Sequence, residues 1–486
     1  MVREFSAVNA SFGYSIIIED PLLHVLNYEV VEPTLSSEEK GVFDVIQNYM
    51  AETLDVILFD VGSDDEAKQY LRQKVKDIIN TFRIKLDEKS LDKLLYYFTR
   101  DYLGYGVIDV MMKDPMIEDI SCNGENVPLY IWHRKYESIP SNVSFTSAEQ
   151  LNNFIIRLAY RTGKMISISN PVLDGALPDG SRINMTLGKE VTRHGSTFTI
   201  RKFREDPLTI IDMIMYNTVS SDMAALFWFF VEHKFNIFVC GPTASGKTTL
   251  LNTYLLFIKP DYKIVTIEDT PELKLYHKNW IRSISRPSLG ASSKIDLFDL
   301  LKAAMRQRPD YIIVGEVRGE EASTLFQAIA TGHGGLSTLH AESVLSAVHR
   351  LETTPMNIPR SLIPSLNIIT IQQRFEREGK PIRRTVTATE IIGLDPQTNE
   401  ILTNEIFRYD ASTDTYRFTG RSYLLEKIAN MLGKTLREIR SEIERRQSVL
   451  NWMVKKELRS FQEVAEVIRE YYNNPDEVIK QVRVEK

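Results

Sequence analysis

The sequence predicts an α/β protein whose central sheet is mostly parallel and carries helices on both faces. Apolar runs at 263–267, 311–314 and 336–339 have the length and composition of buried strands. Between them, apolar residues recur at helical spacing over 297–306 and 320–331. Parallel strands need crossover helices of this kind, whereas antiparallel strands are joined by short turns. The alternation therefore favours a parallel sheet covered on both sides.

Bulk composition limits the classes of protein to which the chain can belong. Its 486 residues allow about two to four domains. The 59 basic and 65 acidic residues give a net charge of −6, which argues against non-specific binding of nucleic acid. Two cysteines, Cys122 and Cys240, are too few for a disulfide framework or a four-cysteine zinc site. Because there is neither an apolar stretch of roughly 18 to 20 residues nor a signal-peptide pattern, a cytoplasmic location is expected.

Changes of pattern along the chain predict five segments. A capping box at Ser36 and Glu39, followed by helical periodicity at 65–80 and 88–102, indicates a mainly helical front preceded by a few strands or an extended arm. Alternating residues at 197–203 indicate a small α+β domain. The predicted segments are a helical domain (1–112), a small α+β domain (113–205), a linker (206–215), the main α/β domain (216–420) and C-terminal helices (421–486).

The strongest functional signal is the stretch NIFVCGPTASGKTT at 236–249. An apolar run ends at Cys240, and the residues after it fit the phosphate-loop pattern. Its glycines let backbone N–H groups turn toward an anion, and the next helix directs its positive end at the same place. Lys247 is expected to reach the β- and γ-phosphates, and the Thr248 hydroxyl to bind Mg²⁺. The predicted nucleotide-binding residues are Gly241, Pro242, Thr243, Ala244, Ser245, Gly246, Lys247, Thr248 and Thr249.

Nucleotide hydrolysis also needs carboxylates, and two strand ends supply them. In TIEDTPE, Glu268 and Asp269 follow the strand after the phosphate loop, and in YIIVGEVRG Glu316 follows the next strand. Gly315 stands where many such enzymes have an aspartate ligand, so Mg²⁺ is expected to depend on the loop threonine, phosphates, waters and Glu268 or Asp269. Glu316 is the predicted general base, with those two residues as alternatives.

A third stretch, TGHGGLSTLHA, places His333 in a glycine-rich turn and His340 at the end of the following strand. Metal binding is disfavoured here because no cysteine or third histidine lies nearby in sequence. Taken alone, each histidine is also compatible with a hydrogen-bonded structural role.

The stretches GPTASGKTT, TIEDTPE, RQRPDYIIVGEVRGEEA and TGHGGLSTLHA, in this order, resemble the type II/type IV secretion ATPase superfamily. Members of that superfamily power pilus assembly, protein secretion and the archaeal motility filament. The resemblance covers about residues 115–400, and the helical front and tail look most like the archaeal branch. It implies a RecA-like ATPase core after a small PAS-like domain, with ATP and Mg²⁺ as cofactors. It also implies that glycine at position 315 is the family's own pattern, and that His340 lies in a catalytic histidine box with His333.

The same resemblance implies a ring-shaped homohexamer that works with a polytopic membrane platform protein and a filament or secretion machinery. Its location would be cytoplasmic and peripheral, at the inner face of the cell membrane. The small domain would supply arginines to a neighbouring subunit's nucleotide. LPDGSR and TIRKF match the family there and select Arg182 and Arg201, ahead of Arg157 and Arg161.

Two other functions stay open at the level of sequence. A nucleic-acid translocase of the conjugative type is disfavoured by the acidic net charge and by the absence of an evident basic, aromatic-rich segment, so no nucleic-acid partner is expected. A nucleotide-gated scaffold without catalysis is disfavoured because Lys247, Thr248 and Glu316 are all present.

Overall fold

The computed structural model describes residues 2–9, 12–21, 24–53, 64–203, 206–286, 295–377 and 380–485. The chain divides into two compact units, Met1–Arg204 and Glu205–Lys486, called here the N-terminal unit and the C-terminal unit. The finer division into five segments stays a prediction.

A nine-stranded sheet organises the N-terminal unit, in the order β1-β2-β3-β6-β5-β4-β9-β8-β7. Neighbouring strands are antiparallel except β3 and β6, which meet in parallel at Tyr28 and Ser141. The front of the chain, predicted to be mainly helical, therefore contributes three strands to the sheet that also contains the strands of the small α+β region. The strands are β1 Val2–Asn9, β2 Gly13–Glu19, β3 Leu26–Val31, β4 Ile117–Cys122, β5 Pro128–His133, β6 Glu137–Ser144, β7 Val172–Ala176, β8 Arg182–Thr186 and β9 Thr197–Arg201.

The first three helices of this unit pack around an apolar cluster of their own, which includes Ile46, Leu71 and Leu94. The predicted capping box at the start of α1 is confirmed: the Glu39 N–H donates to Ser36 Oγ at 3.1 Å, and the Ser36 N–H donates to Glu39 Oε2 at 2.7 Å. The helices are α1 Ser37–Thr53, α2 Asp64–Thr81, α3 Glu88–Phe98, α4 Asp109–Lys113 and α5 Ala148–Arg161, with a π-helical turn at Thr99–Leu103 and a 3-10 turn at Gly106–Ile108.

A second nine-stranded sheet organises the C-terminal unit, in the order β12-β11-β13-β14-β10-β15-β16-β17-β18. The strands from β12 to β15 are parallel, as predicted for this region, and β15 to β18 continue the sheet as an antiparallel extension. The strands are β10 Ile237–Cys240, β11 Ile264–Glu268, β12 Trp280–Ile284, β13 Tyr311–Val314, β14 Gly334–Leu339, β15 Ile368–Arg377, β16 Lys380–Leu394, β17 Ile401–Asp410 and β18 Thr415–Phe418.

Both faces of this sheet are buried, because alternate residues of each parallel strand enter two different apolar clusters. On β10, Ile237 and Val239 belong to one cluster, and Phe238 and Cys240 belong to the other. The helices are α6 Ile210–Met215, α7 Ser221–Glu232, α8 Lys247–Leu255, α9 Leu297–Met305, α10 Glu321–Ala330, α11 Val344–Glu352, α12 Tyr423–Leu432, α13 Leu436–Lys455, α14 Phe461–Asn473 and α15 Pro475–Val484, with a 3-10 turn at Arg360–Ser365.

The last four helices pack on the same face of the sheet as α7 and α8. Arg446 of α13 is buried, forms ion pairs with Glu232 of α7 and Glu442, and lies over the ring of Trp228. Among the helices of the described residues, none is long and apolar enough to cross a membrane.

Candidate active site

The loop between β10 and α8 has the backbone that the phosphate-loop pattern requires. Gly241 has φ +154°, and a Cβ there would lie 2.4 Å from Gln372 O, so only glycine fits. Gly246, with φ +88°, is the left-handed residue from which α8 begins. Ser245 Oγ donates to Pro242 O at 2.8 Å and closes the loop on itself. The loop therefore presents backbone N–H groups and the start of a helix at the carboxyl end of β10, where α/β sheets bind ligands.

Lys247 and His340 both contact this loop. Lys247 Nζ donates to Pro242 O at 2.9 Å, and burial lowers the pKa of Lys247, with Glu316 opposing that effect. His340 follows β14, the strand beside β10, and its Nε2 lies 2.8 Å from Thr243 Oγ1. Burial, and then the charge of Lys247, lower the pKa of His340, which favours the neutral imidazole at neutral pH.

Glu316 lies just beyond β13, two strands away from the loop. Burial would raise the pKa of Glu316, but a hydrogen bond from Arg318 and the charges of Arg318 and Lys247 outweigh it and leave the pKa lowered. The Arg318 guanidinium donates to the Glu316 carboxylate. Glu321 holds the turn that carries both residues, because its Oε1 accepts the Arg318 N–H at 2.7 Å. Glu316 is thus kept ionised, as a general base must be.

Glu268 occupies the space that the missing side chain of Gly315 leaves free. The two residues are neighbours at the ends of β11 and β13, and the Gly315 N–H donates to Ile267 O at 2.9 Å. A Cβ on Gly315 would lie 3.2 Å from Glu268 Cγ. The Glu268 side chain is buried, and its Oε1 accepts the N–H groups of Glu272 and Leu273 at 2.7 and 2.8 Å. Burial raises the pKa of Glu268 to about 7.

The second Glu268 oxygen, Oε2, is buried without a hydrogen-bond partner among the residues that the structure describes. Arg282 Nε, at 3.8 Å, is too far away to donate. Asp269 is more exposed, and its Oδ1 accepts a hydrogen bond from Ser285 Oγ at 2.8 Å. Within the described ranges, no group of three or more histidine, cysteine, aspartate or glutamate side chains forms a complete metal cage.

These residues fit a nucleotide with Mg²⁺. The glycine backbone of the loop and the start of α8 suit a bound phosphate. Glu268 Oε2, which accepts no hydrogen bond within the described residues, suits a metal-bound water. The sheet order sets a limit on direct coordination, because β11 is three strands from β10, or about 14 Å at the usual strand spacing. Thr248, in the first turn of α8, would hold the ion, and at this separation Glu268 and Asp269 could contribute only through ordered water.

The predicted arginines lie in the N-terminal unit. Arg182 and Arg201 are directly opposite each other on β8 and β9, and Asp119 of β4 pairs with Arg201 on its other side. Like charges on directly opposite residues of a strand pair are unfavourable, so an anionic ligand beside this pair would be stabilising. Arg157 and Arg161 instead donate to backbone carbonyls, Arg157 Nη1 to Asp101 O at 3.1 Å and Arg161 Nη2 to Leu103 O at 3.0 Å.

The structure separates the two histidines that the resemblance grouped. His333 precedes β14 and His340 follows it, so the full length of the strand lies between them. His333 Nδ1 contacts Ala328 O at 3.1 Å, at the end of α10. Two arginines that the sequence reasoning missed do reach the site. Arg350 Nη1 of α11 donates to His340 O at 2.9 Å, and Arg383 Nε of β16 donates to Ala244 O at 3.1 Å.

Comparisons with known proteins agree with this geometry. A family model described as type II/IV secretion system protein matches residues 105–478. An uncharacterised protein of Methanocaldococcus jannaschii is 37% identical over 468 residues, which cover 92% of this chain and 85% of that protein. Conjugal transfer protein TrbB of Rhizobium radiobacter is 35% identical over 217 residues, covering 43% of this chain and 65% of TrbB. The solved Legionella pneumophila ATPase DotB is 16% identical over 78% of this chain and 95% of its own, with a TM-score of 0.45, a likeness too low to carry an argument.

Proposed function

The chain belongs to the type II/IV secretion system protein family and is an ATPase, and from that premise we propose that it is the hexameric motor of a pilus-like filament or a related secretion process. It would act at the cytoplasmic face of the membrane, on a polytopic platform protein. The observation that carries the proposal is the convergence of Lys247, Glu316 and His340 on one phosphate loop. Such a site turns over nucleotide, and a motor of this family would couple that turnover to movement of its partners.

Each residue would have a distinct part in hydrolysis. The ammonium group of Lys247 would leave Pro242 O for the β- and γ-phosphates of ATP, which are stronger acceptors. Glu316 would accept the proton of the attacking water. His340, kept neutral, would hold Thr243 and with it the outer part of the loop. Mg²⁺, when bound at Thr248, would neutralise phosphate charge.

Arg182 and Arg201 would complete the site of a neighbouring subunit. Two arginines placed opposite each other by the strand register would suit the charge that develops on a transferred phosphoryl group. The linker after residue 205 would act as a hinge between this pair and its own ATPase core, so that loss of the γ-phosphate opens the neighbour's site. A PAS-like fold for the arginine-bearing region is part of the same proposal.

The test mixes two variants that are each nearly inactive. Arg182→Ala is expected to keep the hexamer and its affinity for ATP while lowering the catalytic rate by about two orders of magnitude or more. Lys247→Ala is expected to lose nucleotide binding. In mixed rings, some sites combine an intact loop with an intact arginine, so part of the phosphate-release activity should return. Mixed rings that stay inactive although subunit exchange is demonstrated would refute a shared site.

Conjugative DNA transfer is a second candidate, favoured by the similarity to TrbB. The negative net charge weighs against it. A titration of the purified ring with single- and double-stranded DNA at 50 and 200 mM salt separates the two functions. A filament motor should show no salt-dependent DNA binding, whereas a translocase should lose affinity steeply as salt rises.

A further inference from the structure

The hairpin formed by β15 and β16 extends past the phosphate loop. β10 ends at Cys240, which pairs with Ile371, but β15 continues to Arg377 and β16 returns from Lys380. The hairpin therefore lies alongside the loop that follows β10. Arg383 of β16 uses this position: its Nε donates to Ala244 O at 3.1 Å.

The arginine also lies over the last glycine of the loop. A Cβ on Gly246 would come within 3.1 Å of Arg383 Cδ. Gly246 therefore meets two requirements, since its left-handed backbone starts α8 and its bare Cα leaves room for the stem of Arg383.

The base of the hairpin is firmly anchored, which fixes Arg383 relative to the loop. Its neighbour Arg384 is buried and donates to both Asp414 oxygens, at 2.7 and 3.0 Å, and to Tyr216 O at 3.0 Å. The Thr385 N–H donates to Thr218 O at 2.9 Å. The backbone at Arg383 is thus held by both strands and by the segment after α6, and its position does not depend on a flexible loop.

The order of the strands indicates which half of a nucleotide Arg383 would meet. Glu316 and His340 lie at the ends of β13 and β14, on one flank of β10. These are the groups suited to the γ-phosphate, where hydrolysis occurs. Arg383 lies on the opposite flank, with β15 and β16. A nucleotide whose terminal phosphates occupy the loop and point toward Glu316 must direct its α-phosphate and nucleoside away from that flank.

We propose that Arg383 is a further nucleotide-binding residue, which donates hydrogen bonds to the α-phosphate and nucleoside half of ATP and ADP. It binds both ground-state ligands alike and does not act on the reacting phosphoryl group. The inference rests on the proposed ATPase function, because it concerns the same loop. It assigns Arg383 to nucleotide retention and release, and Glu316 to chemistry.

The test measures dissociation constants of ATP, ADP and inorganic pyrophosphate by calorimetry, for the full-length protein and its variants. Arg383→Ala should weaken ATP and ADP equally, by about tenfold or more, because each loses a charge-assisted hydrogen bond. Pyrophosphate, which has only the part of the ligand that sits in the loop, should bind as to the unmodified protein. The rate at saturating ATP should change by less than about twofold, since equal loss of ground-state and transition-state binding leaves that rate unaltered. Arg383→Lys should be intermediate.

Arg377→Ala is the matched control, because Arg377 lies on the same hairpin but pairs with Asp414 at 2.9 Å. It should leave all three constants unchanged. If Arg383→Ala weakened the binding of pyrophosphate and ADP equally, the inference would be overturned, and the role of Arg383 would be to stabilise the loop. Unchanged ATP and ADP constants would also overturn it. If the unmodified protein binds none of the three ligands, the proposed ATPase function fails instead.

Discussion

The two flanks of the phosphate loop are built differently. On the β13–β14 flank, ionisable groups lie close together: Glu316 accepts a hydrogen bond from Arg318, and His340 contacts Thr243 of the loop. Glu268 is buried on the same side, and one of its oxygens accepts no hydrogen bond from the residues that the structure describes. On the β15–β16 flank, the buried charge is paired within the fold, since Arg384 donates two hydrogen bonds to Asp414.

This difference indicates that the two flanks of the loop have different parts in the function of the site. A buried carboxyl group whose pKa is raised marks a place where function costs stability, and Glu268 is such a group on the β13–β14 side of the loop. The β15–β16 flank packs against the loop at Gly241 and places Arg383 beside it. We therefore expect substitutions on the first flank to change turnover, and substitutions on the second to change stability or nucleotide affinity.

The largest expected effect is that of Glu316→Gln, which tests the first flank. The amide keeps the shape of the carboxylate but cannot accept the proton of water, so turnover should fall by about two to four orders of magnitude. The dissociation constant of ATP should change little. Single-turnover phosphate release and equilibrium binding measure the two quantities separately. Unchanged turnover would transfer the role of base to Glu268 or Asp269.

Arg384→Ala tests the second flank, and here the expected loss is in folding. The substitution removes both hydrogen bonds to Asp414 and the one to Tyr216 O. The free energy of unfolding should fall by about 2 to 3 kcal/mol, somewhat less than for a fully buried pair because Asp414 is partly exposed. Urea denaturation measures it. Arg408→Ala, which breaks the exposed pair with Glu405, is the control and should show no measurable loss.

Glu268→Gln tests whether a functional residue on the first flank lowers the free energy of unfolding. The pKa of Glu268 is raised from 4.5 to about 7 by burial, so between these values the folded state holds a proton that the unfolded chain has released. The free energy of unfolding must therefore fall as pH rises through this window. The amide removes that fall, and the variant should be more stable by about 2 kcal/mol at pH 8, with no gain near pH 4.

Urea denaturation at pH 4, 6 and 8 measures this, with Glu272→Gln on the same turn as the matched control. Parallel stability curves for Glu268→Gln and the unmodified protein would contradict the prediction. The same variant should leave ATP affinity within about threefold, because Glu268 is three strands from the loop.

The smallest expected effect is that of Thr243→Val, which removes the hydroxyl that contacts His340 Nε2. Turnover should fall severalfold, the size of one lost hydrogen bond between neutral groups, roughly 1 kcal/mol. Thr243→Ser, which keeps the hydroxyl, should retain the original rate. Equal rates for valine and serine would mean that the contact does not position the histidine for catalysis.

Much of the fold could be predicted where the pattern is local. The parallel strands and their crossover helices were predicted correctly, because fully buried strands and amphipathic helices differ in length and periodicity. The antiparallel extension was not predicted: β15 and β16 are long and carry many charged residues beyond the point where β10 ends. Likewise, the apolar runs at the N-terminus gave no sign that β3 would pair with β6, since the two strands are separated by more than a hundred residues.

By itself, the sequence determined the phosphate loop and the acidic strand ends, because the loop's chemistry depends on contiguous residues such as Gly246, Lys247 and Thr248. Only the tertiary structure decided which other groups meet that loop. Glu268 fills the space beside Gly315 because β11 and β13 are neighbours, although the residues are far apart in sequence. Arg383 reaches Ala244 across 139 positions because β15 and β16 extend the sheet beyond β10. Such contacts depend on strand order. The strand order is set by the burial of both faces of the sheet, and no local sequence pattern contains that information.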